Sequence, residues 1–179
     1  IDSANIDSSF SDHARGMGNY DPDRAYSGKK EFFRKYYYGF HYGRLQRYDD
    51  FMRRRLALPW RIFSIASGRC ANELMLMEDG YDITCSDLEK IPALAVTQKL
   101  FPGLRFNCLD ILKSCASGHY DAVLALSLIY LFSENELNTF FRNCSDSLRP
   151  GGCLILDSAG APDNLPAFLW HDVCLRIES

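Results

Sequence analysis

No stretch of this chain approaches the roughly 20 consecutive apolar residues that a membrane-spanning helix requires, so no membrane span is expected. Three catalytic signatures are also missing: there is no phosphate-binding P-loop, no H-E-x-x-H and no Ser-His-Asp spacing, which leaves kinase and hydrolase readings without residues to carry them. The seven cysteines (70, 85, 108, 115, 144, 153, 174) are odd in number and include no C-x-x-C pair, so no zinc or other metal site is expected. Cys85, Cys108 and Cys153 fall in apolar, strand-like runs, where a free cysteine behaves as a small hydrophobe. A reducing cytoplasm is the expected location. The start, Ile1-Asp-Ser-Ala-Asn5, has neither an initiator Met nor the basic and apolar blocks of a secretory signal, and reads as a trimmed or partial chain.

What is present fits one globular domain. The 179 residues are 47% hydrophobic and 24% charged, long enough to bury a substantial core. The net charge of -3 conceals an asymmetry: residues 24–61 hold eleven Lys/Arg against three acids, eight net positive charges, and the remainder carries eleven net negative ones.

Residues 1–28, with Gly16, Gly18, Pro22 and Gly28, read as a loop or arm. From about 29 to 57, Phe32, Phe33, Tyr36, Tyr37 and Phe40, then Leu45, Tyr48, Phe51, Met52 and Leu56, recur at helical spacing; Gly39 and Gly43 are expected to divide two helices, and Pro59 to end the second. Beyond Pro59 strand and helix signals alternate. Strands are expected at Ile62–Ala66, Asp82–Ser86, Leu104–Leu109, Tyr120–Leu126 and Cys153–Leu156, the last following a break at Gly151-Gly152. Helices are expected at Ala71–Asp79, Ile91–Leu100 and Glu134–Leu148, the third opened by a Ser133/Glu136 capping box. Continuous apolar strands between helices imply a mostly parallel sheet covered on both faces, a doubly wound α/β fold. The expected division is an N-terminal arm and helical segment over 1–57 and an α/β domain over 58–179.

In such sheets ligands bind beyond the carboxyl ends of the strands, where strand order reverses. The turn Ala66-Ser67-Gly68 offers small residues for close backbone approach. Asp87, at the end of the second strand, offers an anion that accepts both hydroxyls of a ribose. Asp110, after the third strand, is placed to meet an adenine amino group. The alternative for both acids is a solvated loop position.

These residues, together with Tyr120-Asp-Ala-Val-Leu-Ala-Leu-Ser-Leu-Ile-Tyr-Leu131 and Leu148-Arg-Pro-Gly-Gly152 before the fifth strand, make residues 61–158 resemble the class I S-adenosylmethionine-dependent methyltransferases. The resemblance implies a Rossmann-like methyltransferase fold and S-adenosyl-L-methionine as cofactor. It sets Ala66, Ser67 and Gly68 against the methionine portion, Asp87 on the ribose, Leu88 on the adenine face, and Asp110 with Ile111 on the adenine edge. Leu126 and Ser127 would supply backbone groups near the methionine amine and the reaction centre, and Tyr20 and Tyr26 an arm over the cofactor. The glycine loop departs from the family pattern of acid–apolar–Gly–x–Gly–x–Gly. Ser64 replaces the acid, and Ala66 and Cys70 replace the outer glycines.

The basic aromatic segment 20–55 carries either acceptor-stacking rings or an ordinary helical core face with solvated Lys/Arg. Nucleic acid is disfavoured by the overall pI of about 5.8. For a general base, Tyr130 after the fourth strand and His41 are the candidates.

Ser158–Ser179 is too short for the two closing strands usual in the family, and Ala167–Ile177 reads as helical. A longer, C-terminally truncated native protein is therefore expected, with an exposed fifth-strand edge open to oligomerisation. The expected activity is methyl transfer to oxygen or nitrogen of a small-molecule or glycan-like acceptor. The alternatives are a catalytically silent binding module of the same fold and a nicotinamide-dependent oxidoreductase.

Overall fold

The computed structural model describes residues 42–68, 70–90, 93–156 and 173–176. Expectations for residues 1–41, including Tyr20, Tyr26 and His41, lie outside the described residues.

The described elements are α1 (Tyr42–Arg53), β1 (Arg61–Ser64), α2 (Ala71–Glu78), β2 (Asp82–Asp87), α3 (Ala93–Leu100), β3 (Arg105–Cys108), β4 (Tyr120–Ala125), a 3-10 turn (Ile129–Leu131), α4 (Glu134–Ser147), β5 (Leu148–Leu156) and β6 (Val173–Arg176). The sheet order is β3-β2-β1-β4-β5-β6. The first five strands pair in parallel, and β6 runs antiparallel along β5, from Leu156↔Val173 to Cys153↔Arg176. Strand order reverses between β1 and β4, so a crevice opens beyond Ser64 and Ala125.

Alternation along the central strands divides two cores, because successive side chains point to opposite faces. Ile62, Ala122, Leu124 and Ile155 face one layer with Phe51, Met52, Leu74, Leu76, Leu94 and Phe101 of α1, α2 and the α3 region. Phe63, Val123, Ala125, Leu154 and Leu156 face the other, against Phe140 and Cys144 of α4. Phe63, Phe140, Met52, Ile62 and Leu154 are fully buried, each contributing about 1.5–3 kcal/mol of transfer free energy. Both faces of the parallel sheet are thus covered, as the doubly wound reading required. The capping box also forms: Ser133 Oγ accepts from the Glu136 N–H, and the Glu136 carboxylate accepts from the Ser133 N–H at 2.8 Å.

Three expectations are corrected. Gly43 lies in the first turn of α1, and the expected division into two helices near Gly39 falls outside the described residues. Gly151-Gly152 do not precede β5; that strand already starts at Leu148, with a register irregularity opposite Tyr120–Ala122. Val173–Arg176 is a strand, not helix, because the open edge of β5 supplies its ladder partners. That same pairing occupies the β5 edge along Cys153–Leu156, so the edge proposed for oligomerisation is covered there.

Candidate functional site

The crevice is built from the ends of β1, β2 and β4. Beyond β1 the chain turns through three residues of positive φ: Ala66 (52°), Gly68 (53°) and Cys70 (61°). Only Gly68 adopts that conformation without steric cost, the left-handed region costing other residues roughly 1–2 kcal/mol each. The positions of the two missing glycines keep a glycine-like backbone. Hydrogen bonds hold the shape: Ser67 N–H and Oγ donate to Ser86 O at 2.9 and 3.0 Å, and Cys70 N–H donates to Ser67 O at 2.7 Å. A Cβ built on Gly68 would meet nothing within 4 Å, so the loop faces open space at its middle residue.

Asp87 closes the site from β2. Its Oδ2 accepts from Gly68 N–H at 2.8 Å and its Oδ1 from Leu88 N–H at 2.8 Å. Burial raises its carboxyl above the ordinary carboxylate range, while these two N–H donors pull it back. Leu88 follows with 66% of its surface exposed, a large apolar side chain left at the rim beside an anion. Sequence reasoning placed Ala66, Ser67, Gly68, Asp87 and Leu88 at one site, and the fold brings the loop and the acid together.

The third-strand pair is arranged differently. Asp110 Oδ1 accepts from Leu112 N–H at 3.0 Å, and its Oδ2 lies 2.8 Å from Lys113 Nζ. Its carboxylate therefore braces its own turn. Ile111 is buried among Phe140, Cys144 and Leu148, and its carbonyl accepts from Asn143 Nδ2 at 2.5 Å. Contact of Ile111 with a ligand would fall to its backbone N–H. Beyond β4, Leu126 is half-buried against the first core, and Ser127 has φ 56°, a turn that redirects the chain at the rim. Tyr130 stands 48% exposed on the 3-10 turn that follows.

One residue was missed by sequence reasoning. Glu73, in the first turn of α2, is 4% exposed, and its Oε1 accepts a 2.5 Å hydrogen bond from Ser64 Oγ. Burial pushes its carboxyl up to about 7, with the Ser64 bond opposing and the Asp87 charge adding to the rise. The signal was an acid three residues into a helix whose preceding strand ends in Ser64 where the family pattern has an acid. Among the described residues no group of three or more His, Cys, Asp or Glu is placed to hold a metal ion, and no helix is long and apolar enough to cross a membrane.

A family model described as a methyltransferase domain matches residues 63–156. A comparison with curated protein sequences found no match. Among solved structures, a protein of Pyrococcus horikoshii OT3 superposes with TM-score 0.61 at 17% identity, over 78% of this chain and 61% of that one. The glycopeptide N-methyltransferase MtfA gives 0.58 at 16% identity, over 75% and 61%, and it has been crystallised with S-adenosyl-L-methionine. The Burkholderia thailandensis 1,6-didemethyltoxoflavin-N1-methyltransferase, solved with its acceptor and S-adenosylhomocysteine, gives 0.58 at 16% identity, over 88% and 76%. At these identities the likeness establishes the fold. The chain spans about three fifths of the length of the first two.

Proposed function

The chain belongs to the methyltransferase domain family, and on that premise we propose that it transfers a methyl group from S-adenosyl-L-methionine to an oxygen or nitrogen of a small-molecule or glycan-like acceptor. The observation that carries the reading is the Gly68–Asp87 hydrogen bond at the strand-order reversal, which sets an anion against a loop facing open space. The site fits the cofactor: Asp87 keeps acceptor capacity on both oxygens for ribose hydroxyls, and Leu88 offers an apolar surface to adenine. Ala66, Ser67 and Gly68 would lie along the methionine portion, with backbone groups of Leu126 and Ser127 opposite. Asp110 with Ile111 would meet the adenine edge.

The bound cofactor supplies an electrophilic methyl on a sulfonium. What the chain contributes is alignment, which provides much of the rate in a direct displacement. Tyr130, exposed at the rim, is the first candidate to take a proton from the acceptor, with His41 the second. Tyr20 would belong to an arm over the cofactor. Residues 1–57 would select the acceptor and 58–179 hold the cofactor. A cytoplasmic location accords with six free cysteines among the described residues.

Isothermal titration with S-adenosylmethionine tests this reading. Saturable binding supports it, and no binding near millimolar cofactor sinks it. A catalytically silent module is the second reading, favoured by the side chains that Ala66 and Cys70 place in the loop. It predicts cofactor binding without turnover, or neither.

A further inference from the structure

Two carboxyl groups flank the loop, and they are differently committed. Asp87 has one backbone N–H on each oxygen. Glu73 is met by a hydroxyl, Ser64 Oγ, at the end of β1 and 1% exposed. That hydroxyl has a single proton and donates it to Glu73, so its remaining hydrogen-bonding capacity is to accept. An acceptor backed by a carboxyl suits a cationic donor. It suits a neutral or anionic group poorly.

The surroundings of Glu73 sharpen the point. Asp87 acts on it from β2, Asp49 of α1 and the Cys85 thiol lie within electrostatic reach, and the Cys70 thiol lies against that of Cys85. Among the described residues no cation is among the groups that set its carboxyl. A buried carboxylate without a cation is costly, and here the cost is met by holding the proton. Among the described residues the site is short of one positive charge.

We propose that Glu73 is a positioning residue for the ammonium end of S-adenosylmethionine, acting through the Ser64 hydroxyl as the charge that the loop itself lacks. The inference rests on the cofactor reading above. On binding, one proton leaves Glu73 for solvent and the ligand ammonium replaces it. Ligand affinity then depends on pH with a definite sign. Above about 7 Glu73 is already ionised and affinity is flat; below it, affinity falls as protonation competes with the cation.

The experiment is isothermal titration from about pH 5.5 to 8.5 with two probes. S-adenosylhomocysteine carries the ammonium, and 5′-deoxy-5′-methylthioadenosine lacks the whole amino acid end. For the wild type, S-adenosylhomocysteine affinity should fall by up to about tenfold per pH unit below about 7, while the second probe stays level. Glu73→Gln should lower S-adenosylhomocysteine affinity about tenfold at pH 8, remove its pH slope and leave the second probe unchanged. Adding Ser64→Asp to Glu73→Gln should restore affinity. Equal binding by wild type and Glu73→Gln, or equal loss of both probes, overturns the inference and leaves the cofactor reading standing. Failure of the wild type to bind either probe overturns both. If Glu73→Gln does not fold, the wild-type comparison decides alone, because a level S-adenosylhomocysteine profile is enough to overturn the inference.

Discussion

Gly68 and Asp87 are joined by a 2.8 Å hydrogen bond from the backbone N–H of one to the carboxylate of the other, nineteen residues apart. The bond ties the β1 loop to the end of β2, so the residue proposed to hold the ribose also sets the loop that borders the methionine.

Asp87→Ala should therefore do two things at once. It removes an anion from the ribose site, where hydrogen bonds to charged groups contribute about 1.5–3 kcal/mol, and it frees the Gly68 N–H. S-adenosylhomocysteine affinity is expected to fall by about a hundredfold or more. Calorimetric titration checks it, with circular dichroism confirming the fold; retention of affinity within about threefold would remove Asp87 from the site.

Ala66 and Cys70 share a left-handed backbone, yet glycine at each should have different consequences. Ala66 is half-buried and carries one methyl, so Ala66→Gly mainly relieves strain and should stabilise by about 1 kcal/mol. Cys70 is fully buried in the core of α2 and β2. Cys70→Gly empties the space its thiol fills, which offsets the strain relieved, for a net change near zero or destabilising. Urea midpoints of the two variants should move apart.

Asp49 of α1 is 1% exposed, and neither carboxylate oxygen has a hydrogen-bond partner among the described residues. Burial pushes its carboxyl up to about 8. Because the folded value lies above the unfolded one, the native state holds a proton that the unfolded chain releases. Stability from this group is full below about pH 4 and declines as pH rises to about 8, by up to about 1.4 kcal/mol per unit, Glu73 adding to the decline up to about 7. Asp49→Asn should flatten the slope between pH 5 and 8. Chemical denaturation across that range reads it directly.

Gly152 lies in β5 beside β4, at the register irregularity opposite Tyr120–Ala122. An added Cβ would lie 2.9 Å from Arg149 O, 3.0 Å from Leu148 Cδ2 and 3.1 Å from Asp121 O. Two of these are backbone atoms that cannot step aside. Gly152→Ala should destabilise by about 1–3 kcal/mol, whereas Gly103→Ala, whose Cβ has its nearest neighbour at 3.9 Å, should stay within about 1 kcal/mol. Thermal melts of the pair make the comparison.

The parallel strands and their helices were legible because each apolar run reports its own burial: Ile62-Phe63 and Ala122-Val123-Leu124 divide between two cores with no help from distant sequence. The Ser133/Glu136 cap was legible for the same local reason. Val173–Arg176 was not, since its strand state is decided by the open edge of β5 rather than by its own apolar spacing. The site divided likewise. Asp87 follows from strand position alone. The Ser64–Glu73 bond depends on how α2 seats against β1, and no spacing rule covers two residues nine apart across a strand-to-helix turn.

What the β1 loop inherits is a set of dihedral angles rather than a set of letters. Ala66 and Cys70 hold the turn that glycines would hold, because ladder and loop hydrogen bonds at Ser67 and Ser86 impose it from outside. Tolerance at these two positions is then bounded by side-chain volume, at the loop for Ala66 and in the core for Cys70, more than by backbone freedom. A pattern search keyed to glycine passes over such a loop, and one keyed to hydrogen-bond register does not.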